Sequence, residues 1–425
     1  MLKFCSVLLF FTLVSGTINA QYNTNKYFET QKDSTKKSNF IKHLANGYLP
    51  TKYFNFDLRY LVKYNQYEAL RTGFGGETTK AFAKNFRVTG YGVYGFGDSR
   101  FKYNVAGGYR LAKKTKTWIN LSYTDDLQET GSSKFLTDKR FFQFFEPRLL
   151  NIDLFHKHIT KALSLEHQLA PKILTESEFA LSNISSTYNY KYQLGANSFE
   201  TYRLTTAKFA LQWSPFSTYN YNEKDELKET VAAYPKITVQ YSKSFKNIAK
   251  SNFNFSKLDI KAIHKIFHKN ESESEFILVS GLSNGDIPLT HLYHAYPNNI
   301  NKQTVMQRFS VAGINSFETM FFNEFFSDKF TTIQFKHTFK PFNISVWFKP
   351  QMALISRYAV GSINNIERHQ NISFGSLNKG YTESGIELNK LFFGFGLSFT
   401  YRYGAYHLPQ VQDNIALKFT FNLTL

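Results

Sequence analysis

A single cysteine, Cys5, occurs in the 425 residues, and no run of about eighteen consecutive apolar residues occurs anywhere. Once the leader carrying Cys5 is set aside, the chain has no thiol, which excludes disulfide scaffolding and cysteine catalysis. The missing apolar run excludes a helix-bundle membrane protein, since a spanning helix needs roughly 20 such residues. Acidic side chains are also few: 32 Asp and Glu stand against 51 Lys and Arg, for a formal charge of +19. No G-x-S-x-G nucleophile turn is present. The pairs His156/His158, His264/His268 and His291/His294 lack a further ligand at metal-binding spacing. The expectation is a protein that is not an enzyme and holds no metal or cofactor.

What is present begins with MLKFCSVLLFFTLVSGTINA, which has one basic residue, Lys3, an apolar run from Val7 to Val14, and small residues ending at Ala20. The run is too short to cross a bilayer as a helix, and its layout predicts a signal peptide over 1–20. Cys5 precedes the apolar run instead of following a cleavage site, which argues against a lipoprotein anchor. Loss of Lys3 takes the charge from +19 to +18. A charge of that size commonly marks nucleic acid or an anionic surface. A secreted chain makes nucleic acid an unsuitable partner, and the lysines alternate with apolar residues instead of gathering on a helix. A basic lumen with basic loops near lipid phosphates, or loops kept solvated by their charge, are the two readings left.

Past the leader, apolar and polar residues alternate over long stretches. In LFFGFGLSFTYRY, Leu391, Phe393, Phe395, Leu397, Phe399, Tyr401 and Tyr403 share one parity, while Gly394, Gly396, Ser398, Thr400 and Arg402 share the other. Wound as a helix these apolar residues would scatter; as a strand they form one face. The pattern recurs from Ile415 to Leu425, from Phe54 to Tyr64 and from Phe101 to Leu111. Strands of soluble sheets last about five or six residues, whereas a tilted strand crossing a bilayer needs roughly nine to eleven. In lipid every backbone polar group must pair within the protein, so a spanning sheet must close on itself. The expected fold is all-β: a transmembrane antiparallel β-barrel of about sixteen strands, within a range of about 12 to 18, apolar outside and polar in the lumen. Aromatic content of 18 %, with 45 Phe and 27 Tyr, supplies girdles that would use Tyr60, Tyr64, Tyr109, Tyr123, Tyr241 and Tyr401.

Residues 21–47, polar and lysine-rich, read as a flexible periplasmic lead-in, and 48–425 as one barrel domain. Strands are expected near 52–64, 66–78, 84–96, 99–112, 116–125, 160–171, 174–187, 203–214, 234–246, 252–266, 274–284, 328–340, 342–357, 380–389, 391–403 and 414–425. A loop or partly helical excursion is expected over 126–159, where Pro147 interrupts the chain, and one or two poorly marked strands within 285–325. The charged residues at lumen parity are Asp57, Arg59, Lys63, Glu68, Arg71, Lys102, Arg110, Glu383, Glu387 and Arg402. Buried charges are costly unless paired or wet, so they either line a hydrated pore or brace the wall.

EALRTGFGG at 68–76 and FRVTGYGVYGFGDSRFKYNVAGGY at 86–109, with NEFFSDKF at 323–330 and GYTESGIELNKLF at 380–392, resemble the signatures of a family of bacterial outer-membrane barrels catalogued as a domain of unknown function. The likeness covers about 48–425, and its motif residues here are Asn323, Glu324, Phe325, Ser327, Asp328 and Phe330. Members commonly carry an N-terminal carboxypeptidase-regulatory-like β-sandwich, not seen here. The family barrel is similar in turn to the outer-membrane assembly factors and two-partner secretion transporters. Two features of that superfamily, a periplasmic receiving domain and an Arg-Gly-aromatic tip on a lumen-inserted loop, are not found in the sequence. The resemblance implies residence in the outer membrane of a Gram-negative cell, among lipids including lipopolysaccharide. It also implies a role in assembling or translocating client outer-membrane proteins. A porin-like passive or anion-preferring pore, and a structural or adhesive barrel, are the alternatives.

Overall fold

The computed structural model describes residue 44 and residues 46–421, apart from 133, 139–146, 151, 222–226, 346–347 and 393. The expected leader (1–20), most of the lead-in (21–47) and the last four residues of the expected final strand lie outside the described residues.

Nineteen strand segments join in one sheet. Its wall runs through β1, in two pieces (Phe54–Asp57 and Val62–Asn65), then β2 (Ala69–Thr78), β3 (Phe86–Gly95), β4 (Arg100–Ala112), β5 (Thr117–Glu129), β6 (Phe155–Ala170), β7 (Ile173–Ser186) and β8 (Thr201–Trp213). It continues with β9 (Lys236–Ser244), β10 (Phe255–Phe267), β11 (Glu273–Gly285), β12 (Lys329–Thr338), β13 (Gln351–Ser362), β14 (Tyr381–Phe392), β15 (Phe395–Tyr403) and β16 (Ile415–Phe421). Each strand pairs antiparallel with the next. Turns such as 113–116, 171–172 and 268–272 lie at one end, and the long segments 130–154, 187–200, 286–328 and 363–380 at the other.

The alternation seen in the sequence sorts the two faces. Phe101 is 72 % and Leu121 66 % exposed on the outer face, while Thr400 and Arg402 on the inner face are 0 % and 1 % exposed. A face of Phe and Leu open to the surroundings is stable only against lipid, where it replaces hydrocarbon contacts.

Four details depart from the sequence expectation. The first strand is broken at Leu58–Tyr60 by a 3-10 turn, because Asp57 caps it by accepting from the Arg59 amide at 3.0 Å. Tyr60, expected in an outer girdle, therefore turns inward and stacks on Tyr91 at 4.3 Å. The stretch 391–403 is a hairpin, not one strand: Leu391 and Phe392 end β14, Phe395 opens β15, and Gly394 between them has φ 84°, a conformation glycine tolerates without strain. The excursion expected over 126–159 is shorter than that, since β5 runs to Glu129 and β6 begins at Phe155.

The fourth concerns 286–328, which adds to the wall only the two-residue piece Ser310–Val311, on the edge of β16, and otherwise folds inward with the short pieces Pro297–Asn299 and Phe317–Phe321. Asn298, Asn299, Ser316, Phe317 and Thr319 are wholly buried there. Two apolar clusters hold the segment. Phe317, Met320 and Phe325 pack with Ala359 and Tyr381 of the wall. Leu289, Leu292 and Phe326 pack with Tyr190, Tyr192 and Tyr202 at the long-loop end.

Candidate functional site

The chemistry of this molecule is concentrated where segment 286–328 meets the inner faces of β13 to β16. Residues 381, 383 and 387 of β14 share the inward parity, which places Glu383 opposite Arg357 of β13 in register. Arg357 Nη1 donates to Glu383 Oε1 at 2.7 Å. The same carboxylate accepts the amides of Glu318 and Thr319, each at 3.0 Å, and the Thr319 hydroxyl at 2.6 Å. One buried carboxylate thus braces two strands and clamps the backbone of the inserted segment, using charge-assisted hydrogen bonds that are stronger than neutral ones.

Two further pairs tie segment to wall. Arg402 of β15 grips Glu324 with a two-pronged contact at 2.7 and 3.1 Å, and its guanidinium lies 4.7 Å from the centre of the Tyr381 ring. Lys418 of β16 sits 3.1 Å from Glu318 and also donates to the Asn298 carbonyl. Glu318 is further satisfied by Asn298 at 2.8 Å and Ser316 at 2.6 Å. Three cations face three carboxylates, so the plug contact is electrically balanced. That is the condition under which buried ions are tolerated.

The segment is also fastened across the lumen. Glu129 of β5 lies 2.8 Å from His294 Nε2 and takes Arg148 Nη2 at 2.5 Å, and Arg148 Nε donates to the Pro297 carbonyl at 3.1 Å. The Tyr293 hydroxyl donates to Asp259 of β10 at 2.5 Å, and Lys257 Nζ donates to the His291 carbonyl at 2.8 Å. A wall reached from β5, β10, β14 and β16 by one segment is a wall that wraps around it. Beside the segment remains a polar cavity of about 330 Å3, to which His156, His158, Lys208, Glu178 and Asp259 contribute. Among the described residues no group of three or more His, Cys, Asp or Glu side chains is placed to hold a metal ion.

The other charged residues singled out from sequence are engaged in the wall. Lys102 is buried between Glu68 at 2.6 Å and Asp98 at 2.7 Å. Arg71 forks onto Asp126 at 2.8 and 2.9 Å. Glu387 takes Lys336 at 2.6 Å. Arg59 is held by Asp57 at 2.7 Å beside the broken β1, and Lys63 on its second piece is half-buried. Arg110 does not join this network; it lies at the short-turn end, bonded to Asn85 and 5.5 Å from the Trp118 ring. Of the motif residues, Glu324 binds Arg402, Phe325 and Phe330 are buried, and Ser327 pairs through its backbone with Tyr293. Asn323, at φ 63°, donates to Asp153 at 2.9 Å, and Asp328 takes the amide and side chain of Asn364 at 2.8 and 2.9 Å. Sequence reasoning did not single out Arg357, Lys418, Glu318, Glu129 or Arg148, and it met His294 only in a histidine pair set aside as a metal site. Arg357 and Lys418 carried a signal, their inward parity on β13 and β16.

The family described as "Family of unknown function (DUF5686) C-terminal domain" matches residues 42–345. No curated protein sequence matches the chain. Among solved structures, BamA from Haemophilus ducreyi lacking POTRA domains 1-3 is similar with a TM-score of 0.50 and 10 % identity over 94 % of this chain and 79 % of that one. CdiB from Acinetobacter baumannii is similar at a TM-score of 0.41 and 9 % identity, over 84 % of this chain and 57 % of that one. Wzi from Escherichia coli, an outer-membrane carbohydrate-binding β-barrel involved in group 1 capsule assembly, is similar at 0.26 and 11 %, over 89 % and 85 %. At such identities the likeness to the BamA barrel speaks to fold alone, and the fold is that of an outer-membrane β-barrel.

Proposed function

We propose, for a chain that belongs to the Family of unknown function (DUF5686) C-terminal domain, a non-enzymatic role in assembling or translocating client proteins at the outer membrane. The working part would be a weak seam at the two edges of its wall, and the edge of β16 carries this reading. Among the described residues, that edge pairs only with Ser310–Val311, in parallel, extended by the Ala312 amide on the Phe419 carbonyl at 2.7 Å. At the other extreme, β1 is broken in two, and among the described residues only its first piece is covered, by Tyr48–Pro50. Edges so thinly covered can take up an additional strand through main-chain hydrogen bonds. A client strand pairing with β16 would displace two residues, not a full ladder.

An open anion pore fits the geometry less well. Segment 286–328 occupies the lumen, and Lys102 and Arg402 are already neutralised by carboxylates.

Register offers the test. Val311 and Phe419 are Cα partners, and Cys5 is the chain's only cysteine, so Val311→Cys with Phe419→Cys gives a defined reducible lock. Quantitative outer-membrane proteomics should show other barrels depleted when the gene is deleted. The reduced double variant should restore them, and the oxidised one should not. A proteome indifferent to the deletion, or full restoration by the locked protein, overturns the proposal.

A further inference from the structure

We infer that the outer face of β5 to β8, at the long-loop end, holds a binding site for a lipid headgroup carrying two phosphates. This rests on the reading of the chain as an outer-membrane barrel. A cleft of about 500 Å3 opens there, and Arg100, Lys157, Arg203 and Lys250 line it with one carboxylate, Asp125. Asp125 lies 3.9 Å from Arg100. Lys157 only approaches the Tyr67 ring, at 5.6 Å, and among the described residues Arg203 and Lys250 form no ion pair. At the plug contact Arg357, Arg402 and Lys418 each have a carboxylate, whereas in this cleft four cations share one.

Its position selects the ligand. Lys157 shares the parity of the outward-facing Leu163 and Leu165 on β6, and Arg203 that of Phe209 on β8. The cations therefore stand directly above the apolar band, at the level where lipid headgroups meet water. The turn after β9 is folded down to deliver Lys250. Asn252 exchanges hydrogen bonds with the Arg203 backbone at 2.7 and 2.9 Å, and Thr205 donates to the Ile248 carbonyl at 2.8 Å. Asn183 of β7 stands in register beside Arg203, adding an amide to the cleft. Lys157 and Arg203 are separated by the width of two strands, roughly 10 Å. Two basic points set apart over an apolar wall fit two phosphates on a sugar backbone whose acyl chains lie along β6 to β8. In a barrel whose long loops face outward, that headgroup belongs to the outer leaflet.

Native mass spectrometry of the full chain in detergent tests this, with bisphosphorylated lipid A, its dephosphorylated form, phosphatidylglycerol and inorganic phosphate as probes. The bisphosphorylated glycolipid should be retained in preference to all others. The triple variant Lys157→Gln, Arg203→Gln, Lys250→Gln should weaken retention about five-fold per cation, on the order of a hundred-fold in all. The same exchange at Lys113 and Lys114, in a turn at the opposite end, should change nothing. Equal retention of the dephosphorylated lipid, equal retention by the triple variant, or preference for phosphatidylglycerol overturns the inference. Heat-modifiable migration on gels reports the barrel separately. Its absence in the unaltered chain would sink the barrel reading itself, whereas a folded barrel without lipid preference would sink only this site.

Discussion

Replacing Glu383 by Gln separates the two tasks assigned to that carboxylate. The single change deprives buried Arg357 of the carboxylate it is bonded to and weakens the acceptor for the Glu318 and Thr319 amides. Breaking a buried ion pair costs about 3–5 kcal/mol. If that cost falls on the contact between segment and wall, local opening becomes roughly a hundred- to several-thousand-fold more frequent. Hydrogen exchange at the amides of Glu318 and Thr319 should accelerate by that factor while amides of the β5–β6 ladder stay protected. Adding Arg357→Met removes the charge that has lost its bonded carboxylate, so resistance to denaturant should recover. Exchange at Glu318 and Thr319 should stay fast, because their acceptor is still compromised. Exchange within about three-fold of wild type in the single variant, or full recovery of protection in the double, would refute the clamp.

Three shorter predictions follow from the same geometry. A methyl at Gly281 would overlap the ring of Tyr293, which cannot retreat because it is stacked on Phe330 at 4.6 Å; Gly281→Ala should cost about 1–3 kcal/mol in denaturant titrations. Phe399→Arg puts a charge on the lipid face of β15 and should cost about 2–4 kcal/mol of folding free energy in vesicles, against little change in a detergent that lets the side chain reach water. His369, at the long-loop end, is held down to about 4 by burial, with Arg368 adding to the effect. The native state therefore keeps it neutral while the unfolded chain protonates near the usual His value of about 6.5, so stability is present above that pH and is lost as pH falls toward about 4. The loss is at most about 3 kcal/mol. Proteolysis of 363–374 should quicken across that window, and His369→Gln should flatten the dependence.

The wall was legible because lipid on one side and a polar interior on the other leave a period of two in the sequence, as in Phe395–Tyr403 and Ile415–Phe421. The inserted segment was not. Phe317–Phe321 has the apolar residues of a strand, and periodicity cannot say whether such a piece joins a wall or fills the space inside it. Arg402 was marked by its inward parity, yet its partner Glu324 lies 78 residues earlier and belongs to no strand. Such pairings are set by how the segment folds back, which local pattern does not encode. Tyr60 was misplaced for a related reason: it lies inside a 3-10 turn capped by Asp57, where alternation does not predict the face, although Phe56, Val62 and Tyr64 on either side keep the outward parity.

The charge of the chain also resolves differently inside and outside. Its excess of cations suggested a basic lumen, but at the plug contact Arg357, Arg402 and Lys418 each meet a carboxylate, and Lys102 meets two. The unpaired cations Arg203 and Lys250 are on the outer rim. This inverts what neutralising Arg402 should do. In a basic pore its loss would lower an existing anion preference. Here it exposes Glu324 and loosens the segment, so Arg402→Ala should turn a poorly conducting barrel into a cation-preferring one in planar bilayers. Glu324→Gln leaves Arg402 without its charge partner and should give the opposite selectivity, and the double variant should show little preference either way. An unaltered protein that conducts anions, and merely conducts them less selectively without Arg402, would mean the balance described inside the lumen does not govern ion passage.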